Sequence, residues 1–250
     1  MHESIWQKKE NADSLIIFVH GFIGSPNQFS SLNLLESAYE RGYSVYAILL
    51  PGHGGTSKNF GCYGLADWEN HLQNELNKYA DAYPNIILVG HSMGGLLALN
   101  ASLQEHNHVR GVLLLCSPLK LNLSLRSLFI RRKMRKYPDS NPIKLAYQQA
   151  RSLSDIRVSL NWLKPVLGFF RLECKTKLNL PHIIAPTLVI HSRNDEVVSF
   201  KSANIFYKGL FNSARKQLTL EKSWHAYFPP EEQEQVRSAF LEFIDDCLLQ

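Results

Sequence analysis

The chain has 250 residues, 45% of them hydrophobic, and 27 Lys and Arg against 22 Asp and Glu give a formal net charge of +5. That length suits one large α/β domain or two small ones, and so modest a charge gives no reason to expect nucleic acid as a partner. Residues 1–11 are polar without an apolar stretch ahead of a cleavage site, and no apolar run approaches the roughly 20 residues that cross a bilayer, so a soluble, cytoplasmic protein is expected.

Strand candidates rich in β-branched and large apolar residues fall at 14–20, 43–50, 85–90, 109–116, 186–191 and 217–220. Most are near-continuously apolar, as strands covered on both faces are. After the first, Ser25-Pro26-Asn27-Gln28 reads as a cap serine, a proline at the first helical position and a glutamine three residues after the cap. The helix it opens carries Phe29, Leu32, Leu35 and Tyr39, and Gly42 closes it. Asp67 reads as the cap of a second helix with Trp68, Leu72, Leu76, Tyr79 and Tyr83 on one face. The stretch after Ser92 is apolar nearly all round through Leu103, and a last helix is expected over 231–248 with Val236, Phe240, Phe243, Ile244 and Cys247 as its stripe. This alternation implies a mostly parallel sheet with helices on both faces.

Between 118 and 185 the alternation breaks, and fragments at 143–151, 154–163 and 165–172 read as short helices inserted between two strands. Such an insertion sits over the strand ends as a lid, because parallel strands release their connections on the side where ligands bind.

Residues 86–96 read Ile-Ile-Leu-Val-Gly-His-Ser-Met-Gly-Gly-Leu, an apolar strand running through Gly-x-Ser-x-Gly into an apolar helix. Gly90 and Gly94 leave room for a tight turn while Ser92 projects its hydroxyl from the strand end. The bare pattern arises by chance in roughly one chain in ten of this length, so its weight comes from the strand-turn-helix context.

A serine hydroxyl is a weak nucleophile at neutral pH and needs a histidine to take its proton and a carboxylate to orient that histidine. Asp195 follows the strand at 186–191 through Ser192-Arg193-Asn194, and His225 follows the strand at 217–220 through Lys222-Ser223-Trp224. Taken singly, Asp195 reads as a turn aspartate and His225 as a surface-loop histidine. Together with Ser92 they fall in the order nucleophile, acid, base, each after its own strand. Glu196 is the rival acid, one residue later and expected to point elsewhere. For the oxyanion of a tetrahedral intermediate, the Met93 amide is one natural donor and the Phe22 amide, after Gly21, is the second. His20 is expected to be buried and hydrogen-bonded in that loop, and His53 and His91 to be structural. A metal site built from these three would lack any carboxylate or cysteine. Cys62, Cys116, Cys174 and Cys247 are scattered and read as free packing thiols, so no metal is expected.

With these residues in place the chain resembles the α/β-hydrolase superfamily, and more narrowly its bacterial carboxylesterase and monoacylglycerol lipase group. The likeness spans nearly the whole chain: His-Gly-Phe at 20–22, Leu-Pro-Gly-His-Gly at 50–54, Gly-His-Ser-Met-Gly-Gly at 90–95, then Asp195 and His225. It implies an α/β-hydrolase fold with a core of 1–117 and 186–250 and a helical lid of 118–185. It further implies Ser92 as nucleophile, His225 as general base and then acid, Asp195 as its orienting carboxylate, and Phe22 and Met93 as oxyanion-hole amides. The expected reaction is hydrolysis of carboxylic esters of short- to medium-chain acyl groups through an acyl-enzyme, without a cofactor, and monoacylglycerols are one candidate substrate class.

Within the expected lid, Leu119, Leu121, Leu125, Phe129, Trp162, Leu163, Leu167, Phe169 and Phe170 are candidate acyl-chain contacts, or else pack the lid on itself and on the core. The basic run 129–136 reads either as a solvated lid helix or as a weak contact with an anionic membrane surface, beside Leu125, Leu128 and Phe129. A monomer or small homo-oligomer is expected. The same triad also serves thioesterases, amidases and carbon–carbon bond hydrolases, and the scaffold can serve as a non-catalytic ligand-binding protein. A dehalogenase wants aspartate where this chain has Ser92.

Overall fold

A computed structural model describes residues 2–104, 108–122, 132, 136–154 and 160–248. Seven strands, β1 (Ile5–Gln7), β2 (Ser14–Val19), β3 (Ser44–Ile48), β4 (Asn85–His91), β5 (Val109–Leu115), β6 (Thr187–Ser192) and β7 (Arg215–Leu220), form one sheet in the order β1-β3-β2-β4-β5-β6-β7. All neighbours are parallel except β1, which runs antiparallel to β3. The sequence reading found the six parallel strands and missed β1. Three residues on an edge, with one face open to solvent, leave no apolar run to read.

Alternation along each strand divides the core in two. Leu15, Ile17 and Val19 of β2 join one cluster with α4 (Leu65–Ala80) and α5 (Met93–Ala101); Ile16 and Phe18 join another with Phe29, Leu35 and the last helix, α9 (Pro230–Leu248). Val236, Phe240, Phe243 and Ile244 of α9 are buried as their spacing predicts. Every residue from Met93 to Asn100 in α5 is buried, so this helix lies in the interior rather than on it.

Two local expectations need correction. The helix expected from Ser25 to Gly42 is broken into α1 (Asn27–Ser30) and α2 (Leu34–Glu40) by Asn33, whose φ of 56° is left-handed. Ser25 does not cap α1; its hydroxyl donates 3.2 Å away to the carbonyl of Gln149, a long-range partner invisible to local spacing. Asp67 is not the cap of α4 either. It lies one turn inside, and its carboxylate accepts from the amide of Gly64, the residue that precedes the helix, at 2.8 Å.

The first helix after β4 follows a short α3 (Ser57–Phe60) and α4 in the chain, and beyond β5 the described part of the insertion holds α6 (Pro142–Ala150), a 3-10 turn (Leu160–Trp162) and α7 (Leu163–Asn179). The fragment at 143–151 is α6; that at 165–172 is the middle of a longer helix; that at 154–163 lies partly outside the described residues. A further helix, α8 (Lys201–Gly209), covers the sheet after β6. The α7 helix is fastened to the core, since Asn100 of α5 donates to Thr176 Oγ1 at 2.7 Å and accepts from Asn179 Nδ2 at 2.7 Å. Among the described residues no helix is long and apolar enough to cross a membrane.

Candidate active site

At the end of β4 the chain turns into α5 through Ser92, whose φ of 53° and ψ of −124° lie outside the helical and extended regions. Side chains flanking the turn would collide with its surroundings. A Cβ on Gly90 would fall 2.3 Å from the Gly95 backbone, and one on Gly94 would fall 1.9 Å from the Val19 carbonyl oxygen. The two glycines therefore let strand and helix meet, and the strained residue between them holds its hydroxyl out at the sheet edge.

Ser92 Oγ is 3.1 Å from His225 Nε2, and His225 Nδ1 is 2.9 Å from Asp195 Oδ2. The Asp195 side chain is fully buried, and that of His225 nearly so. Burial by itself pushes the Asp195 carboxyl up, but the His225 charge and hydrogen bond, with the Val198 and Val197 amides, together outweigh it and hold the group below its ordinary value. An ionised Asp195 assigns the proton to Nδ1, which leaves Nε2 free to accept from the serine hydroxyl. Asp195 also caps its own turn, because Oδ1 accepts from Val197 at 2.7 Å and Val198 at 2.8 Å. The turn contacts and the His225 contact thus fall on different oxygens of this carboxylate.

The loop that carries His225 is held at several points. Glu232, in the first turn of α9, accepts from the amides of Glu221, Lys222 and Ser223 at 2.9, 3.0 and 2.7 Å. Ser192 at the end of β6 donates to the Ser223 carbonyl. His91 Nε2 donates to the His225 carbonyl at 2.9 Å, and burial first, then the neighbouring His225 charge, lowers the His91 pKa to about 3. Glu196 does not reach the imidazole; its Oε2 accepts from the His225 amide at 3.1 Å. On the other oxygen Glu196 accepts from the hydroxyl of Tyr147, which belongs to α6.

On the opposite side of Ser92, Gly21 comes so close that a Cβ there would be 3.0 Å from the Ser92 Cβ. His20 is fully buried; its Nε2 accepts from the Leu50 amide at 3.0 Å, which makes Nδ1 the donor to the Gly21 carbonyl at 2.9 Å. The Gly24 amide donates to the same carbonyl at 2.9 Å. In a planar trans peptide the Phe22 N–H points opposite to the Gly21 C=O, so these two donors orient the Phe22 amide. Burial, followed by repulsion from His53, drives His20 well below the usual histidine range and keeps it neutral. His53 in turn donates to the Phe22 carbonyl at 2.7 Å. Met93, the first residue of α5, presents the other amide at a helix N-terminus.

The candidate acyl contacts separate into groups. Trp162 and Phe169 are buried and pack their rings against Phe22, at centroid distances of 6.3 and 5.6 Å. Leu119 is buried and Leu121 is half-buried, paired with Val198. Leu163, Leu167 and Phe170 instead face solvent on the outer side of α7, opposite the face that Leu172 and Thr176 bury against the core. Leu125, Leu128, Phe129 and most of the basic run 129–136 lie outside the described residues.

His20, His53 and His91 do not form a cation cage. Among the described residues the one set of side chains close enough to share an ion is Cys116, Asp195 and His225, with ligand atoms within 4.8 Å. Burial, then the charge of Asp195, pushes the Cys116 thiol well above its usual value. Cys116, Glu232 and Tyr147 surround the site without having been singled out for it in the sequence, and Glu196, read there as the rival acid, takes the His225 amide instead. Glu196 had a signal in its adjacency to Asp195; Tyr147 had none.

A model of the alpha/beta hydrolase family matches residues 16–239. The chain is 26% identical over 243 residues to the thermostable monoacylglycerol lipase of Bacillus sp. (strain H-257), covering 94% of this chain and 91% of that one. It is 23% identical over 244 residues to a carboxylesterase of Bacillus subtilis (strain 168), covering 94% of each. A solved structure described under the lipolytic enzymes LipS and LipT, derived from a metagenome, superposes with a TM-score of 0.77 at 22% identity, over 98% of this chain and 97% of that one.

Proposed function

The chain belongs to the alpha/beta hydrolase family, and from that premise we propose that it is a serine hydrolase cleaving carboxylic esters of short- to medium-chain acyl groups through an acyl-enzyme. The observation that carries this reading is the hydrogen-bonded chain from Ser92 Oγ through His225 to Asp195, at 3.1 and 2.9 Å, beginning at a residue held in a strained turn.

Ser92 Oγ attacks the ester carbonyl as His225 Nε2 takes its proton, and Asp195 stabilises the imidazolium through Nδ1. The Phe22 and Met93 amides receive the developing oxyanion. His225 returns the proton to the departing alcohol, then activates water to release the acid and restore Ser92. The insertion between β5 and β6 is read as a lid over this edge of the sheet, with α6 as the described part that reaches the His225 loop. An apolar acyl group is favoured by the aromatic wall that Trp162 and Phe169 build against Phe22. Monoacylglycerols and simple carboxylic esters are the substrate classes suggested by the names of two relatives.

Hydrolysis of p-nitrophenyl esters from acetate to palmitate, with Ser92→Ala as control, tests the reading. Activity that peaks at a defined acyl length and vanishes in the variant is expected. Activity unchanged in Ser92→Ala, or none on any ester, would remove it, and faster turnover of matched acyl-thioesters would move the reading to a thioesterase.

A further inference from the structure

We propose that Tyr147 is a positioning residue for this reaction, acting through Glu196 to hold the His225 loop from the inserted helix α6. The inference rests on the hydrolase reading above and adds a role for a residue outside the triad. Tyr147 is half-buried where its hydroxyl can serve the acid turn and the base loop at once. It donates to Glu196 Oε1 and accepts from the Ala226 amide at 3.4 Å. Glu196 Oε2 accepts from the His225 amide at 3.1 Å. Two consecutive amides, those of His225 and Ala226, are therefore held by two linked side chains, one from the turn after β6 and one from α6.

The arrangement has a physical logic. Asp195 controls the His225 ring and Glu196, the next residue, controls its backbone, so a single turn sets both the orientation and the position of the base. Glu196 is buried, where a carboxylate oxygen left without a donor is costly, and the Tyr147 hydroxyl is a donor that comes from the insertion. Burial first, then the charge of Glu196, pushes the Tyr147 phenol well above its ordinary value, so it stays a donor at any pH the enzyme meets.

The other end of α6 grips the opposite half of the site. Arg151 bridges to Gly24, Ser152 donates from its amide to the Ile23 carbonyl at 3.0 Å, and the Gln149 carbonyl accepts from Ser25. These partners follow Phe22 directly in the chain. One helix thus braces the loop of the oxyanion amide and the loop of the base, and α6 acts as a fixed strut between them.

The test compares wild type, Tyr147→Phe, Glu196→Gln, Glu196→Ala and the double variant Tyr147→Phe/Glu196→Ala. Tyr147→Phe retains the ring and is expected to lower kcat on the best ester by about 10- to 100-fold with KM within about twofold. Glu196→Gln, which keeps an acceptor for the His225 amide, is expected to retain more activity than Glu196→Ala. Because Tyr147 acts largely through Glu196, with only its Ala226 contact independent of it, the double variant is expected to lose clearly less kcat than the product of the two single losses. The downfield proton resonance of the His225 Nδ1–H bond to Asp195, recorded without substrate, is expected to shift or broaden in Tyr147→Phe. Unchanged kcat and an unchanged resonance in a folded Tyr147→Phe protein, or additive kcat losses in the double variant, would overturn the proposal. If wild type shows no Ser92-dependent hydrolysis, the hydrolase reading fails by itself, and the resonance still decides whether Tyr147 positions His225.

Discussion

The imidazole of His91 donates from Nε2 to the carbonyl of His225 at 2.9 Å, with the two rings 4.8 Å apart. The residue before Ser92 thus holds the backbone of the histidine that Ser92 faces, across 134 positions of chain. A neutral His91 suits this place, because an imidazolium there would oppose any charge on the neighbouring His225.

Replacing His91 with Phe keeps a ring in the pocket and removes the donor. The expected result is a loss of about 1–3 kcal/mol in stability, from a buried carbonyl left unpaired. A fall in kcat of roughly tenfold or more should accompany it as the His225 loop relaxes. Chemical denaturation and steady-state kinetics on the same preparation check both, and kcat equal to wild type would show that the contact does not position the base.

Asp195→Asn should keep the turn, since an amide oxygen can still accept from Val197 and Val198. It removes the charge that assigns the proton to Nδ1, so kcat is expected to drop by about 10⁴-fold with little change in the melting temperature. A variant that retained more than a tenth of the activity would argue that Asp195 is only a turn residue.

Acid is expected to destabilise the fold early. Burial lowers the pKa of His20 and His53, that of His91 to about 3 and that of His191 to about 4, against an ordinary 6.5. In the unfolded chain these groups bind protons below about pH 6.5 that the folded chain refuses, so stability falls as pH drops from there. The loss runs down to about pH 4 for His191 and about pH 3 for His91, and approaches about 1.4 kcal/mol per pH unit for each histidine. Asp195, held below its ordinary carboxyl value, adds a loss of the same sign at still lower pH. Urea midpoints from pH 8 to pH 5 should decline, and His191→Leu should flatten the decline; a constant midpoint would contradict the neutral state of these side chains.

Glycine substitutions should divide sharply by site. Gly94→Ala places a Cβ 1.9 Å from the Val19 carbonyl oxygen and is expected to abolish soluble folded protein. Gly42→Ala meets nothing within 4 Å and suffers only its φ of 109°, a cost of about 1–3 kcal/mol. Expression yield and circular dichroism of the pair distinguish a packing demand from a conformational one.

Phe169→Ala removes a ring from the aromatic group around Phe22 and is expected to cost about 3–5 kcal/mol. Its catalytic effect should grow with acyl length, because longer chains rely more on an apolar wall. Equal losses in kcat/KM for acetate and octanoate esters would place that wall away from the acyl group.

What the residues declare locally was legible without the fold. The six parallel strands were read from near-continuous apolar runs, α5 and α9 from the spacing of their apolar residues, and Ser92, Asp195 and His225 from the turns that follow three of those strands, since each of these local signals lies within a short stretch of chain. The helix expected to begin at Ser25 failed for the complementary reason. The serine found its partner at Gln149, far along the chain, and Asn33 took a left-handed conformation that spacing does not encode.

Only the tertiary structure decided what surrounds Ser92, His225 and Asp195. Glu196 could be seen as an acid beside an acid, but that it takes the His225 amide while Asp195 takes the ring depends on how β6 and β7 lie side by side. Tyr147 carries no motif, and its link to Glu196 exists because an inserted helix returns over the sheet edge. Periodicity and turn chemistry act between neighbours in sequence, whereas these hydrogen bonds join residues that only the closed fold brings together, and there the sequence by itself is silent.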